Sequence, residues 1–141
     1  MKKVFLAAVF ILGGCVSTAP LSGNALVEKG ETLKTDHHVV FTSDDNHQNL
    51  RTHLEISHDE VVLIGLGMLG ETLFECQSRA QKLKCSKISS AFPAERLFKD
   101  IQHIIWTADE KERFTSELIY ENKYAGYHLT LKPLNFERGK S

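Results

Sequence analysis

The stretch Val61-Val62-Leu63-Ile64-Gly65-Leu66-Gly67-Met68-Leu69-Gly70-Glu71-Thr72-Leu73-Phe74-Glu75-Cys76 decides the fold of this chain. Its first four residues form a continuous β-branched and apolar run, and residues 72–76 form a second strand-like run. Only the glycine-rich residues 65–71 lie between the two runs. Consecutive short strands joined by so tight a connection predict neighbours in an antiparallel sheet.

The glycine-rich segment matches the dinucleotide-binding fingerprint G-x-G-x-x-G letter for letter at residues 65–70. That fingerprint binds a pyrophosphate when a helix begins directly after it, inside a parallel βαβ unit. Here residues 71–76 continue as a strand, and no βαβ alternation follows. We therefore expect no nucleotide cofactor, and we interpret the glycines as a bend or bulge that lets the sheet coil tightly or lets another group approach its backbone.

Similar strand-like runs lie on both sides of this stretch, separated by polar and turn-forming residues. They are Val39-Val40-Phe41-Thr42, Arg51 to Ser57, Lys82-Leu83-Lys84-Cys85, Leu118-Ile119-Tyr120 and Tyr127-His128-Leu129-Thr130-Leu131. The whole series predicts an antiparallel meander.

One segment has helical periodicity instead. Pro93 suits the first turn of a helix, and apolar residues then recur at helical spacing at Leu97, Phe98, Ile101, Ile104 and Ile105. An amphipathic helix must bury its apolar stripe, and one face of a curved sheet is the simplest place. We therefore expect the α+β class, with a curved antiparallel sheet packed on one main amphipathic helix.

The N-terminus predicts export and a lipid anchor. Met1-Lys2-Lys3 is cationic, Val4 to Leu12 is apolar, and small residues precede Cys15. This order is that of a secretory signal, and its ending, Leu12-Gly13-Gly14-Cys15, resembles the lipobox of bacterial lipoproteins. The resemblance implies that Cys15 is acylated and becomes the new N-terminus, and Val16 after it favours the outer membrane, facing the periplasm.

Length and charge limit what the rest of the chain can be. Residues 1–14 are predicted as a signal peptide, 15–34 as a lipidated flexible tether, 35–134 as a single globular domain and 135–141 as a frayed tail. The net charge of −1 is spread without a basic block. Nucleic acid is therefore not an expected partner, whereas the membrane is one through the N-terminal lipid.

Cys76 and Cys85 are the two cysteines that remain once Cys15 carries lipid. A turn centred near Ala80-Gln81 would place them opposite each other, close to disulfide distance. The periplasm is oxidising, so a bridge would persist there. A disulfide and two buried free thiols both remain open; zinc is less favoured because no C-x-x-C spacing or partner ligands accompany the pair.

The chain has seven histidines, and five of them, His37, His38, His47, His53 and His58, crowd one region. Their spacings fit no ligand frame, so solvated histidines are favoured over a metal site. No nucleophile elbow, carboxylate pair or phosphate-binding loop is present in the sequence. We therefore expect no metal and no enzymatic activity.

Two motifs together resemble a known family. The glycine-rich segment 65–70 leading into Leu73-Phe74, and Asp100-Ile101-Gln102 followed by Trp106, are similar to small uncharacterised bacterial outer-membrane lipoproteins whose genes often accompany aryl-polyene-type biosynthesis clusters. The resemblance spans residues 60–107. It implies a partial β-barrel similar to the half-barrel of outer-membrane lipoprotein receptors and carriers (LolB-like).

Such a sheet buries acyl chains against apolar side chains and needs no catalytic group. The residues that would then line a ligand are Phe74, Leu97, Phe98, Ile101, Ile104 and Trp106; ordinary core packing is the alternative for each of them. We expect a non-catalytic lipoprotein that binds or transfers a lipid or lipid-like molecule in envelope or polyene-lipid assembly. The alternative is a structural lipoprotein that docks a protein partner in an envelope complex.

Overall fold

Alternation of apolar and polar residues runs through seven strands in the protein, which is described here as a computed structural model covering residues 26–87 and 93–140. The predicted signal peptide, Cys15 and residues 16–25 of the predicted tether lie outside the described residues. The elements in chain order are β1 (Glu31–Ser43), β2 (Asn46–Ser57), β3 (Glu60–Leu66), β4 (Thr72–Arg79), β5 (Lys82–Lys87), α1 (Ala94–Thr107), β6 (Leu118–Asn122) and β7 (Tyr127–Lys140).

The strands form one sheet in the order β5-β4-β3-β2-β1-β7-β6. Every neighbouring pair is antiparallel. Strands β1 to β5 form the meander that the short connections predicted. After α1, the β6–β7 hairpin returns to the other side and pairs β7 with β1, which leaves β5 and β6 as the edges of an open sheet.

The predicted α+β class with a partial β-barrel on a main helix is wrong. The described chain is 59 % strand, the sheet is open, and the single helix has 14 residues, so the fold is nearer to all-β. The difference arises because the strands are much longer than the apolar runs suggested. The first strand has 13 residues, because its polar residues, which include the inward-facing Thr35 and His37, lie within the strand and do not end it.

The two longest strands also include residues that were expected outside the domain. Residues 31–34 of the predicted tether belong to β1, and residues 135–140 of the predicted tail belong to β7. These ends pair with each other from Glu31↔Lys140 to Asp36↔Asn135. A bulge at Leu134 then shifts the register, so that His37 pairs with Pro133. Backbone pairing thus orders a segment whose side chains are mostly polar.

One face of the sheet, the inner face, carries the core. Alternate residues of each strand point to this face, and α1 packs mainly against its β4 and β5 portion. Fully buried examples are Leu33 and Val39 on β1, Leu54 on β2 and Leu131 on β7. Within the described ranges, no helix has both the length and the apolar character needed to cross a membrane.

The helix is held at its middle and at its C-terminal end. Asp100 accepts hydrogen bonds from Asn122 Nδ2 (2.9 Å) and from the Tyr127 hydroxyl, which ties α1 to the β6–β7 hairpin. Burial, with the Asp100 hydrogen bond adding to it, raises the pKa of Tyr127. Arg113 donates from Nε to the carbonyl of Ile105 (2.8 Å), satisfying a carbonyl of the last turn. Nothing in the sequence around Arg113 indicates this role.

Candidate functional site

A single row of residues crosses the inner face from β7 to β4. In register order it consists of Pro133, His37, Thr52, Gly65 and Phe74, one residue from each of five adjacent strands. We call this set the inner row. Its members are directly opposed, so neighbouring Cβ positions lie about 4.5–5.5 Å apart.

Two members of this row, His37 and Thr52, are buried polar residues without hydrogen-bond partners, and we call them the inner pair. Each is 1 % exposed. Neither ring nitrogen of His37 nor Thr52 Oγ1 has a hydrogen-bond partner. A buried polar atom left unpaired costs about 1–3 kcal/mol. The largely apolar inner face therefore contains three unsatisfied polar atoms at one place, which is the kind of exception that calls for an explanation.

The surroundings of His37 decide its protonation. Burial lowers its pKa to about 4, although the charge of the neighbouring Asp36 acts in the opposite direction. At neutral pH the imidazole is therefore uncharged, with one nitrogen that can donate a hydrogen bond and one that can accept. The inner pair thus offers two donors, the imidazole N–H and the Thr52 O–H, and no charge.

A nearby threonine shows that a satisfied hydroxyl is possible on this face. Thr35 is 2 % exposed, and its Oγ1 donates to the carbonyl of Asn135 at 3.1 Å. The bulge at Leu134 places that carbonyl close to Thr35. Thr52 has no such neighbour, because its cross-strand partners His37 and Gly65 provide no hydrogen bond to it.

Gly65 is required by the ring of Phe74. A Cβ atom built on Gly65 would lie 2.3 Å from Phe74 Cε2, which is far inside contact distance. The ring therefore covers the backbone at the position directly opposite Thr52. Phe74, one of the six predicted lining residues, forms the apolar wall beside the inner pair.

The glycine-rich segment is a bulge and a turn, as predicted. The β3–β4 register shifts between Gly65 and Leu66. The N–H of Gly67 donates to the carbonyl of Glu71 at 2.8 Å, and Gly70 has φ +88°, which favours glycine. Strand β4 begins at Thr72, where the dinucleotide-binding mechanism would require a helix.

The other predicted lining residues lie on α1. Leu97, Phe98, Ile101, Ile104 and Trp106 are all buried and belong, with Phe74, to one core cluster in which none is more than 9 % exposed. Gln102, which the helical pattern placed off the apolar stripe, is also buried at 2 % exposed. The helix and the sheet thus enclose one largely apolar layer, and the inner row lies on the sheet side of this layer.

Cys76 and Cys85 are joined by a disulfide, with an S–S distance of 2.04 Å. They are directly opposed on β4 and β5, and the turn between these strands is Ala80-Gln81, both with positive φ. The predicted register is therefore confirmed. The bridge fastens the edge strand β5 to the sheet at the place where α1 packs against it.

The outer face carries a polar cluster that the sequence analysis missed. His53 donates from Nδ1 to Asp36 (2.6 Å) and from Nε2 to Glu55 (2.9 Å), while Arg51 and Asn135 also donate to Asp36, each at 3.4 Å. We call these five residues the outer cluster. Burial alone would lower the pKa of His53, but its bonds to the two carboxylates raise it.

The same bonds act on Asp36 in the opposite sense. Burial alone would raise its pKa, but the hydrogen bonds from His53, Asn135 and Arg51 lower it. The outer cluster is therefore a set of ion pairs in which His53 is stabilised as a cation. The cluster would have been found from the alternation of β1 and β2, had their register been known.

The histidines do not converge. His37 faces inward, whereas His38, His53 and His58 bond different outer partners, which are Asn49, Asp36 with Glu55, and Asp59. Across residues 26–87 and 93–140, no group of three or more histidine, cysteine or acidic side chains is arranged to hold a metal ion.

The outer face also has an exposed apolar patch, formed by Met68, Leu69 and Leu134. Their exposed fractions are 69 %, 93 % and 51 %. A pocket of about 290 Å³ lies between Met68 and Leu134 and is bordered by His38 and Arg51. This patch is separate from the inner row, because it lies on the other side of the sheet.

Comparison with known proteins places the chain in a family. No curated protein matches it. The family model described as protein of unknown function (DUF3261) matches residues 34–117, which include most of β1, all of β2 to β5 and α1, and four of the five residues of the inner row. This match covers more than half of the chain, and the protein therefore belongs to the DUF3261 family.

Proposed function

We propose that the protein is a non-catalytic outer-membrane lipoprotein, anchored through Cys15 and facing the periplasm, that binds or transfers a lipid or lipid-like molecule. The observation that carries the proposal is the apolar layer between α1 and the inner face, interrupted by the unsatisfied inner pair. Such a layer is complementary to an amphiphile, which has a long apolar chain and a small polar group.

The relative sizes of the helix and the sheet support this proposal. Seven strands spaced about 4.8 Å apart make a sheet about 29 Å wide, whereas a helix with its side chains is about 10–12 Å across. The helix packs mainly against β4 and β5, while the apolar inner face continues over β3, β2, β1 and β7. The inner-face residues of these strands are already buried, so an acyl chain would have to displace α1 or core side chains to reach them.

The sequence resemblance suggests the kind of lipid. The glycine-rich segment and the Asp100-Ile101-Gln102 motif are similar to those of lipoproteins encoded beside aryl-polyene-type clusters. We infer that the ligand is a polyene-acyl or related fatty-acyl product on its way to or within the outer membrane. The apolar layer requires only that the ligand be long and apolar.

Mass spectrometry of co-purifying lipids tests the proposal. The full chain carrying Cys15→Ser would be exported, purified without detergent and extracted. We expect acyl or polyene species in near-stoichiometric amounts. The matched control is the double variant Met68→Ser with Leu69→Ser, which changes the outer face and should retain the lipid. If the chain carrying Cys15→Ser, whose inner face is unaltered, yields an extract without lipid, the proposal is contradicted.

The exposed apolar patch favours a second candidate, docking of an envelope protein. Contiguous exposed apolar side chains of this kind often mark a protein interaction site. Under this alternative, Met68→Ser with Leu69→Ser would abolish a crosslinked complex in intact cells, and the purified protein would contain no lipid. The double variant Met68→Ser with Leu69→Ser, compared with the chain that has neither change, therefore separates the two functions.

A further inference from the structure

We propose that His37 and Thr52 donate hydrogen bonds to the carbonyl oxygen of an acyl group, so that the inner pair fixes the polar end of a bound acyl chain. This inference rests on the proposed lipid binding and adds the chemical group that is recognised and the residues that recognise it. The ligand class is an uncharged acyl compound, either an ester or a protonated acid.

The position of the two donors supports a shared acceptor. His37 and Thr52 are directly opposed on β1 and β2 and both point to the inner face. Directly opposed side chains have Cβ atoms about 4.5–5.5 Å apart. An oxygen placed above the pair can accept from the imidazole N–H and from the hydroxyl together, because a carbonyl oxygen has two lone pairs.

The neighbours in the inner row do not satisfy these donors. Pro133, opposite His37, and Gly65, opposite Thr52, carry no side-chain oxygen or nitrogen that could accept a hydrogen bond. The ring of Phe74 lies over Gly65 and adds only apolar surface. The pair therefore lies between two apolar boundaries, and an acyl chain extending from the bound carbonyl would contact Phe74.

The charge of the pair selects the class of acyl group. His37 is uncharged at neutral pH, since burial lowers its pKa to about 4. A buried carboxylate without a cation is very costly, whereas a neutral carbonyl needs only hydrogen bonds. An ester or a protonated acid is therefore favoured over an ionised fatty acid.

Three fluorescent polyene probes test the inference on the full chain carrying Cys15→Ser. Methyl parinarate has an ester carbonyl, parinaric acid has a carboxyl group, and diphenylhexatriene has no oxygen. We expect Thr52→Val to weaken the binding of methyl parinarate about fivefold to tenfold, which is the effect of losing one hydrogen bond. Binding of diphenylhexatriene should change less than about twofold, because its contacts are apolar. Parinaric acid should bind the unaltered chain more weakly than its methyl ester.

Two further variants complete the test. His37→Phe should also weaken the binding of methyl parinarate, as Thr52→Val does. Thr130→Val, a threonine on β7 that faces outward, should leave all three probes unchanged. Thr52→Val keeps the shape of the side chain, so the test stands even if His37→Phe fails to fold.

Each outcome has one meaning. If the unaltered chain binds diphenylhexatriene and methyl parinarate, and Thr52→Val changes neither, the inference is overturned while lipid binding stands. If Thr52→Val weakens the binding of both probes equally, the hydroxyl maintains the shape of the site and does not bind the carbonyl. The inference is then again overturned. If the unaltered chain binds none of the probes, the proposed function fails and the inference fails with it.

Discussion

Two consecutive cross-strand pairs on β1 and β2 differ in whether their polar atoms have hydrogen-bond partners. Asp36 and His53 are opposed on the outer face, and His37 and Thr52, the next pair, are opposed on the inner face. The outer pair belongs to a cluster in which His53 donates to two carboxylates at 2.6 and 2.9 Å. The inner pair is buried and has three polar atoms without a partner.

The comparison separates a structural use of histidine from a candidate functional one. On the outer face, where water could also satisfy a polar group, Asp36 and His53 are hydrogen-bonded to protein partners. On the inner face, where an unpaired polar group is costly, His37 and Thr52 have no hydrogen-bond partner. The two histidines also have opposite pKa shifts, upward for His53 and downward for His37. We infer that the outer cluster stabilises the fold and that the inner pair serves a ligand.

A charge placed on each face should break this comparison most strongly. His37→Lys puts an unpaired ammonium group into the apolar inner row, and we expect the free energy of unfolding to fall by about 3–5 kcal/mol. His38→Lys, one residue away on the outer face, should cost less than about 1 kcal/mol. Urea unfolding followed by circular dichroism measures both. Equal losses would show that the inner position is accessible to water.

Added volume in the inner row should have the next largest effect. Gly65→Ala places a Cβ against the Phe74 ring and should lower stability by about 1–3 kcal/mol. Phe74→Leu in the same chain should recover part of that loss, because the smaller side chain leaves room. Gly139→Ala, where a Cβ meets nothing within 4 Å, should be neutral or slightly stabilising. Thermal unfolding of the three variants tests this packing.

Two threonine variants compare a satisfied hydroxyl with an unsatisfied one. Thr52→Val removes an unpaired buried hydroxyl and should raise the free energy of unfolding of the ligand-free protein by about 1 kcal/mol. Thr35→Val removes the bond to the Asn135 carbonyl and should lower it by a similar amount. Both threonines are buried on the same face, so the opposite signs test hydrogen bonding alone. A loss of stability in Thr52→Val would contradict the unsatisfied state of the inner pair.

The outer cluster should give the smallest and most pH-dependent effect. Since folding raises the pKa of His53, its contribution is fully present below the unfolded value of about 6.5 and is lost as pH rises through the folded pKa. His53→Asn should therefore cost more at pH 6 than at pH 9. We expect a difference of at most about 1 kcal/mol, because the side chain is partly exposed and screened. A pH-independent difference in chemical denaturation would disprove the charged state of His53.

Local chemistry made some of these features predictable. The bulge at Gly65, the helix after Pro93 and the Cys76–Cys85 register follow from residues close together in the chain. The pairing of β1 with β7 does not, since Thr35 and Asn135 are 100 residues apart and the strand ends are polar. That pairing is the main reason why the sheet was underestimated.

The candidate site was only half predictable for the same reason. Helical spacing identified the apolar residues of α1, and Phe74 came with the β4 run. Alternation in β1 places Asp36 and His37 on opposite faces, but it does not say which face is buried. The inner pair and the outer cluster emerge only when the register of β1 with β2 is known.

The central claim is that ligand binds at the inner pair and leaves the outer cluster unchanged. Nuclear magnetic resonance of the histidine rings, in chain labelled at histidine and titrated with methyl parinarate, measures this directly. We predict that the ring signals of His37 shift progressively and saturate, while those of His53 stay in place. Saturable shifts at His53 and none at His37 would contradict the account.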